Sequence, residues 1–169
     1  MATTAGTFTI VEEHSVAEID ARSSLGPIHW EAHGLQGTVD IQADGQSRLV
    51  GGHVQLELDR LKSGNALYDS ELLRRVDARR YPTIVGELEE VAVDTGGPDL
   101  FRLGGTITFH GVSRPVRGVV SVDLDGDDRV TVKGSHRFDI RDYGLTPPRL
   151  LGMRFEPEFA VVLNVEATR

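Results

Sequence analysis

Apolar and polar residues alternate with a period of two through most of this chain, and short clusters of turn residues interrupt the pattern at close intervals. Successive strand side chains point to opposite faces of a sheet, so this pattern confines the chain to β structure with one face buried. Candidate strands fall at 8–10, 16–21, 30–41, 50–58, 84–93, 101–109, 116–124, 130–140 and 159–165, the fifth with a bulge at Glu89-Glu90. Asp125-Gly-Asp-Asp128 between two alternating runs is a hairpin signal. One segment, 68–80, carries Leu72, Leu73 and Val76 at helical spacing, with Asp69 or Ser70 as its cap and Tyr81-Pro82 as its stop. About eight strands and one short helix, with no strand–helix alternation, predict an all-β antiparallel barrel or sandwich.

Glycines favour a barrel with a space inside. Gly52, Gly86, Gly105, Gly118 and Gly134 all fall on the apolar phase of their strands. A glycine there removes a side chain from the centre and leaves a lumen, or else lets strands coil tightly around a filled core. The length of 169 residues fits one domain, with 1–7 as a flexible lead and 8–169 as the barrel.

Charge and composition exclude several functions. There are 26 acidic residues against 18 basic, and the net charge of −8 opposes a nucleic-acid or anionic-surface partner. Without cysteine there is no disulfide framework, zinc ribbon or thiol nucleophile. No stretch reaches the roughly 18 apolar residues of a membrane span, so an integral membrane protein is not expected, and the start lacks an export signal. The chain reads as cytoplasmic.

No catalytic or metal-binding pattern stands out. His29, Glu31 and His33 share one strand face, but the two imidazoles stand about 13 Å apart at ~3.3 Å per residue, too far for one metal. The 123–128 segment has its glycine in the wrong place for a calcium loop. Glu156 with Glu158, and Glu87 with Glu89, read as surface acids in charged surroundings. His110 beside Gly111 reads as a turn-fixing residue, and His14-Ser15 as a bend that bonds backbone. No metal or cofactor is expected.

From Phe101 onward a resemblance emerges. Gly104-Gly-Thr-Ile-Thr-Phe-His-Gly-Val-Ser-Arg-Pro-Val116 resembles the most recognisable segment of the YceI-like family. Arg80-Tyr-Pro-Thr-Ile84 is similar to that family's helix exit, and Phe8-Thr-Ile10 with His14-Ser15 to its opening strand and turn. Phe138-Asp-Ile-Arg-Asp-Tyr-Gly144 resembles its penultimate segment. The resemblance runs from about Phe8 to the C-terminus. It implies a lipocalin-like antiparallel barrel that binds a long isoprenoid, isoprenoid quinone or fatty-acyl chain without catalysis, for carriage, storage or sensing, and it brings a stress-response setting with it. The stretch 23–33 is shorter and more polar than is usual in the family, and 146–153 replaces its aromatic or acidic loop, so either the ligand size is expected to differ or the lumen to be partly filled.

On this reading Ile107, Phe109, Val120, Val132, Phe138 and Leu163 line the lumen. Leu72, Leu73, Leu151 and Met153 would lie near an entrance under the helix or the Pro147-Pro148 loop. His136 shares the phase of Val132 and Phe138. It is the side chain to inspect, with Tyr143 and His14, for a rival reading as a lipid isomerase or cyclase. A second rival is a ligand-free interaction module, a homodimer joined through edge strands. The partner expected first is a hydrophobic small molecule.

Overall fold

The computed structural model describes residues 6–44, 46–94, 96–97, 99–147, 149–150 and 152–169. Its strands are β1 (Gly6–Ile10), β2 (Val16–Ser23), β3 (Gly26–His33), β4 (Gln36–Asp44), β5 (Gln46–Glu57), β6 (Thr83–Val93), β7 (Leu100–Phe109), β8 (Val112–Asp125), β9 (Arg129–Asp139), β10 (Arg149–Leu150) and β11 (Met153–Thr168). A single α-helix, α1 (Ala66–Arg75), and three short 3-10 turns complete the described elements.

The strands close into an eight-stave antiparallel barrel. β1 and β2 form one stave broken by the Glu12–His14 turn, and both lie against β11, through Ile10↔Ala167 and Asn164↔Val16. β3 and β4 form the next stave, broken at Gly34-Leu35, where Gly34 takes a φ of 86°. This corrects the reading of 30–41 as one strand: the left-handed glycine turns the chain so that Leu35, only 1% exposed, drops into the core. β5 to β9 follow in sequence order, and β11 pairs with both β9 and the first stave, which closes the ring.

Local chemistry explains the joints. His110 and Gly111, both at positive φ (54° and 72°), make the two-residue turn between β7 and β8. That is the type I′ geometry whose twist matches antiparallel strands. β6 bulges between Leu88 and Glu90, as the sequence predicts. The 125–129 hairpin forms with Asp125 opposite Arg129.

The helix begins earlier than expected. Its cap is Asn65, whose side chain accepts from the backbone N–H groups of Leu67 and Tyr68. Asp69, taken as a cap from sequence, instead lies buried and accepts from the Ser63 backbone N–H at 2.9 Å and hydroxyl at 2.6 Å. α1 ends at Arg75, well before Tyr81-Pro82, because Asp77 adopts a left-handed φ of 53°.

Core side chains fill both ends of the barrel. At one end Phe8, Ile10, Val39, Ile41, Phe101, Val122, Val130 and Ala167 are buried. At the other, Trp30, Leu56, Leu58, Val76, Phe109, Tyr143 and Phe155 are buried. Between these layers the inward apolar side chains are only half-buried. The ladders between β7 and β8 and between β9 and β11 span those strands almost entirely, whereas the β8–β9 ladder runs from Asp125↔Arg129 to Val120↔Gly134 and stops.

Candidate lumen between the end layers

The half-buried band encloses a cavity of about 310 Å³. Inward residues from around the ring converge on it, among them Ile19 from β2, Val39 from β4, Val54 from β5, Ile84 and Leu88 from β6, Leu103 and Ile107 from β7, Val116 and Val120 from β8, Val132 and Phe138 from β9, and Phe159, Val161 and Leu163 from β11. The partial exposure of the half-buried ones belongs to a lumen that side chains do not fill. The volume lies near the lower end of the ~300–1,000 Å³ typical of small-molecule pockets.

All five inward glycines line this cavity, for different reasons. A Cβ at Gly105 would collide with the carbonyl oxygen of Glu87, across the β6 bulge, so that glycine permits two backbones to approach. A Cβ at Gly134 would lie 2.8 Å from Val120 Cγ1, and one at Gly86 would meet Ile107 and Val54 at 3.1 and 3.2 Å. Only at Gly118 would it meet nothing closer than His136 Nδ1, at 3.9 Å. Tight coiling and open space therefore both operate, at separate positions.

Polar groups are few on the inner wall. His136 faces the cavity, stacked edge-on against Phe138 at 4.6 Å, and Phe138 in turn stacks on Phe159 at 5.6 Å. Among the described residues no protein group hydrogen-bonds the His136 imidazole. Tyr143 forms part of the floor with its ring 5.6 Å from Phe109, and burial pushes its phenol up from the ordinary value. The floor is pinned by β8 and its turn: His110 Nδ1 lies 3.1 Å from the Tyr143 carbonyl oxygen, and Arg114 Nε donates to that of Asp142 at 2.8 Å.

Of the residues expected from sequence, Ile107, Phe109, Val120, Val132, His136, Phe138 and Leu163 come together on this cavity. Leu72 and Leu73 do not line it. They pack from α1 against the end layer, because a short amphipathic helix on a barrel end spends its apolar stripe there. Met153 is 3% exposed, with the Ser23 hydroxyl 3.8 Å from its sulfur, and lies outside the lining as well. Leu151, like Pro148 of the proposed entrance loop, lies outside the described residues. Val54, Ile84, Val116, Phe159 and Val161 line the cavity beyond the expected set, with Phe159 and Val161 on the phase of Leu163 and Val116 on that of Val120.

Other sequence candidates sit outside the lumen. His14 Nδ1 lies 3.2 Å from Glu166 Oε1, and the Ser15 hydroxyl accepts from the Glu166 backbone N–H at 3.1 Å. His29 and His33 are exposed and pair with Asp20 and Glu31 at 2.8 and 3.0 Å. Among the described residues no group of three or more metal-ligating side chains assembles, and no helix is long and apolar enough to cross a membrane.

Solved structures share this architecture at low identity. BcnA of Burkholderia cenocepacia superposes with a TM-score of 0.80 at 14% identity, covering 94% of this chain and 99% of that one. A polyisoprenoid binding domain from Saccharophagus degradans, implicated in plant cell wall breakdown, gives 0.79 at 13% identity over 99% of both chains. The Campylobacter jejuni YCEI protein gives 0.63 at 17% identity, over 78% of this chain and 80% of that one. No curated protein matches the sequence. The YceI-like domain pattern itself matches residues 8–167, nearly the whole of the barrel, and on that match the chain belongs to the YceI-like family.

Proposed function

We propose that this protein binds a hydrophobic chain, isoprenoid or fatty-acyl, in the barrel lumen and performs no chemistry on it. The observation that carries this reading is the apolar cavity of about 310 Å³ between two buried end layers. The shared fold with a polyisoprenoid binding domain supports the same ligand class. The surroundings of His136 favour binding over catalysis: its ring contact is Phe138, whereas a general base is oriented by a hydrogen-bonding partner.

The driving force is removal of apolar surface from water. At ~30 Å³ for a water-sized group, the cavity takes roughly ten chain carbons. Their burial is worth about 8 kcal/mol gross, at ~0.8 kcal/mol per methylene. Loss of translational freedom takes several kcal/mol of that, so ten carbons alone bind weakly and further contacts of the ligand set the affinity. Carriage, storage and sensing all use such a site. The cytoplasm is the setting proposed, to be checked by fractionation.

Native mass spectrometry of the purified protein, followed by organic extraction, tests the reading and reports the assembly state. A stoichiometric prenyl or acyl species is the expected result. A bare chain mass, with no uptake from a panel of quinone, polyprenol and fatty acid, would sink it.

A further inference from the structure

We infer that the unpaired seam between β8 and β9 is the head-group site of an amphiphile: the hydrocarbon tail occupies the lumen and an anionic head, a carboxylate or a phosphate ester, sits in the seam between Arg117 and Arg137. This rests on the lumen-binding reading above and adds a substrate class to it.

The seam follows from the ladders. Past Val120↔Gly134 the two strands are no longer paired with each other, although each keeps its other neighbour. The seam ends at the floor, where Arg114 on β8 reaches the turn that follows β9. Buried layers occupy both ends of the barrel, and this is the stretch of its wall that no β8–β9 ladder holds. Arg117, Gly118, Val119, Ser135 and His136 from the two lips all belong to the cavity lining. A second depression, on the outer face over Gly104, shares Arg117, Gly118 and Val119 with it.

Continuing the register past the last pair sets Arg117 opposite Arg137 and Gly118 opposite His136. Strand alternation puts the glycine and the histidine on the lumen side and both arginines outside. Without a side chain at Gly118, the space facing His136 Nδ1 stays open. The outer charges are under-used in a protein of net charge −8. Arg117 makes no ion pair among the described residues, and Glu90, which shares its depression, forms none with it. Arg137 has only Glu158, at 3.8 Å with both side chains exposed. Two guanidiniums across an open seam, with a hydrogen-bonding imidazole behind them, suit a negative head on an apolar tail. With a lumen of roughly ten carbons, one end of a longer ligand stays outside.

Isothermal titration with decanoate, decyl phosphate and decanol tests this, using wild type and an Arg117→Gln/Arg137→Gln variant. We expect both anions to bind more tightly than decanol at low salt. The variant should lose about tenfold for the anions and keep its decanol affinity, because exposed charge pairs are individually weak and screened by salt. A stronger response to the phosphate than to the carboxylate, or the reverse, identifies the source of the charge. Amide shifts on adding decanoate should be largest at Gly118, Val119 and Ser135. Equal affinity of wild type for all three probes, or equal losses for all three in the variant, overturns the head-group site while leaving the lumen intact. Failure of both anions where the quinone, polyprenol and fatty-acid panel is taken up overturns the head-group site, and failure of every probe together with no uptake from that panel overturns the lumen reading itself.

Discussion

Two alanine substitutions on the same inward phase should shift stability in opposite directions. At Gly118 a new methyl meets only His136 Nδ1, at 3.9 Å, an ordinary contact. The folded state loses nothing, while the unfolded chain loses backbone freedom, so Gly118→Ala should stabilise by about 0.4–1 kcal/mol. At Gly105 the methyl would collide with the Glu87 carbonyl oxygen, with the Glu87 carbonyl carbon at 3.2 Å and Leu88 Cα at 3.3 Å. All three atoms are backbone and cannot rotate away. The β6–β7 ladder must separate locally, losing hydrogen bonds worth about 1 kcal/mol each on top of about 1–3 kcal/mol of overpacking. Gly105→Ala should therefore destabilise by about 2 kcal/mol or more after its own gain in the unfolded state.

Urea melts followed by far-ultraviolet circular dichroism read this directly. With a slope of about 2 kcal/mol per molar urea, the midpoint should rise by roughly 0.2–0.5 M in Gly118→Ala and fall by roughly 1 M in Gly105→Ala. Midpoints moving by the same amount in the same direction would refute the argument. So would a Gly118→Ala variant losing more than about 1 kcal/mol, because the open side of Gly118 would then not exist.

Three further outcomes follow from particular contacts. Val132→Trp should fill the lumen and abolish uptake of prenyl or acyl probes, while stability changes by no more than the ~1–3 kcal/mol of overpacking, read by extraction and thermal melts. Asn65→Ala removes the acceptor for the Leu67 and Tyr68 N–H groups and should cost about 1 kcal/mol in a urea melt, with Asn65→Asp keeping most of it. Asp20, hydrogen-bonded to His29, holds that imidazole's pKa above the ordinary value, so an NMR titration should show a raised midpoint that drops in Asp20→Asn. The small stability this pair contributes is fully present below the unfolded histidine value of ~6.5 and is lost as pH rises through the raised folded value; solvent exposure limits it to a few tenths of a kcal/mol.

Most staves were legible in the sequence because one face is apolar and the other polar, and that contrast has a period of two wherever a wall separates core from water. The β6 bulge and the 125–129 hairpin carried local signs, paired glutamates and a glycine-acidic turn. The break at Gly34 did not, since alternation resumes on both sides of it and only the left-handed backbone reveals the interruption. The helix start was misplaced because Asp69 and Ser70 are plausible caps by residue type, while the choice of Asn65 depends on Ser63 occupying Asp69. Leu72, Leu73 and Met153, expected near an entrance, pack in or against the core and do not line the cavity, and the sequence has no way to tell end-layer packing from lumen lining. Both are apolar and inward, and the difference lies in how far other side chains reach toward them.

The seam left a single local trace. β8 keeps one inward phase from Val116 to Leu124, with Gly118 on it, and the exposed Arg114 on that phase falls beside the turn, so its hydrophobic pattern does not say which of its edges opens halfway along. Pro115 does. The two-residue turn makes Phe109↔Val112 a hydrogen-bonded pair, and pairs then alternate, so residues at even positions of β8 bond toward β7 and those at odd positions away from it. Val122, whose N–H donates to the Asp99 carbonyl oxygen just ahead of β7, keeps to that parity. Pro115 is odd, and its missing N–H therefore faces β9. A proline there would break a ladder in a fully paired wall and costs nothing on an open edge. Counted from the turn, that one residue marks both the edge of β8 that is free and the stretch of wall where it is free, the same stretch that carries Arg117 on its outside and Gly118 on its inside.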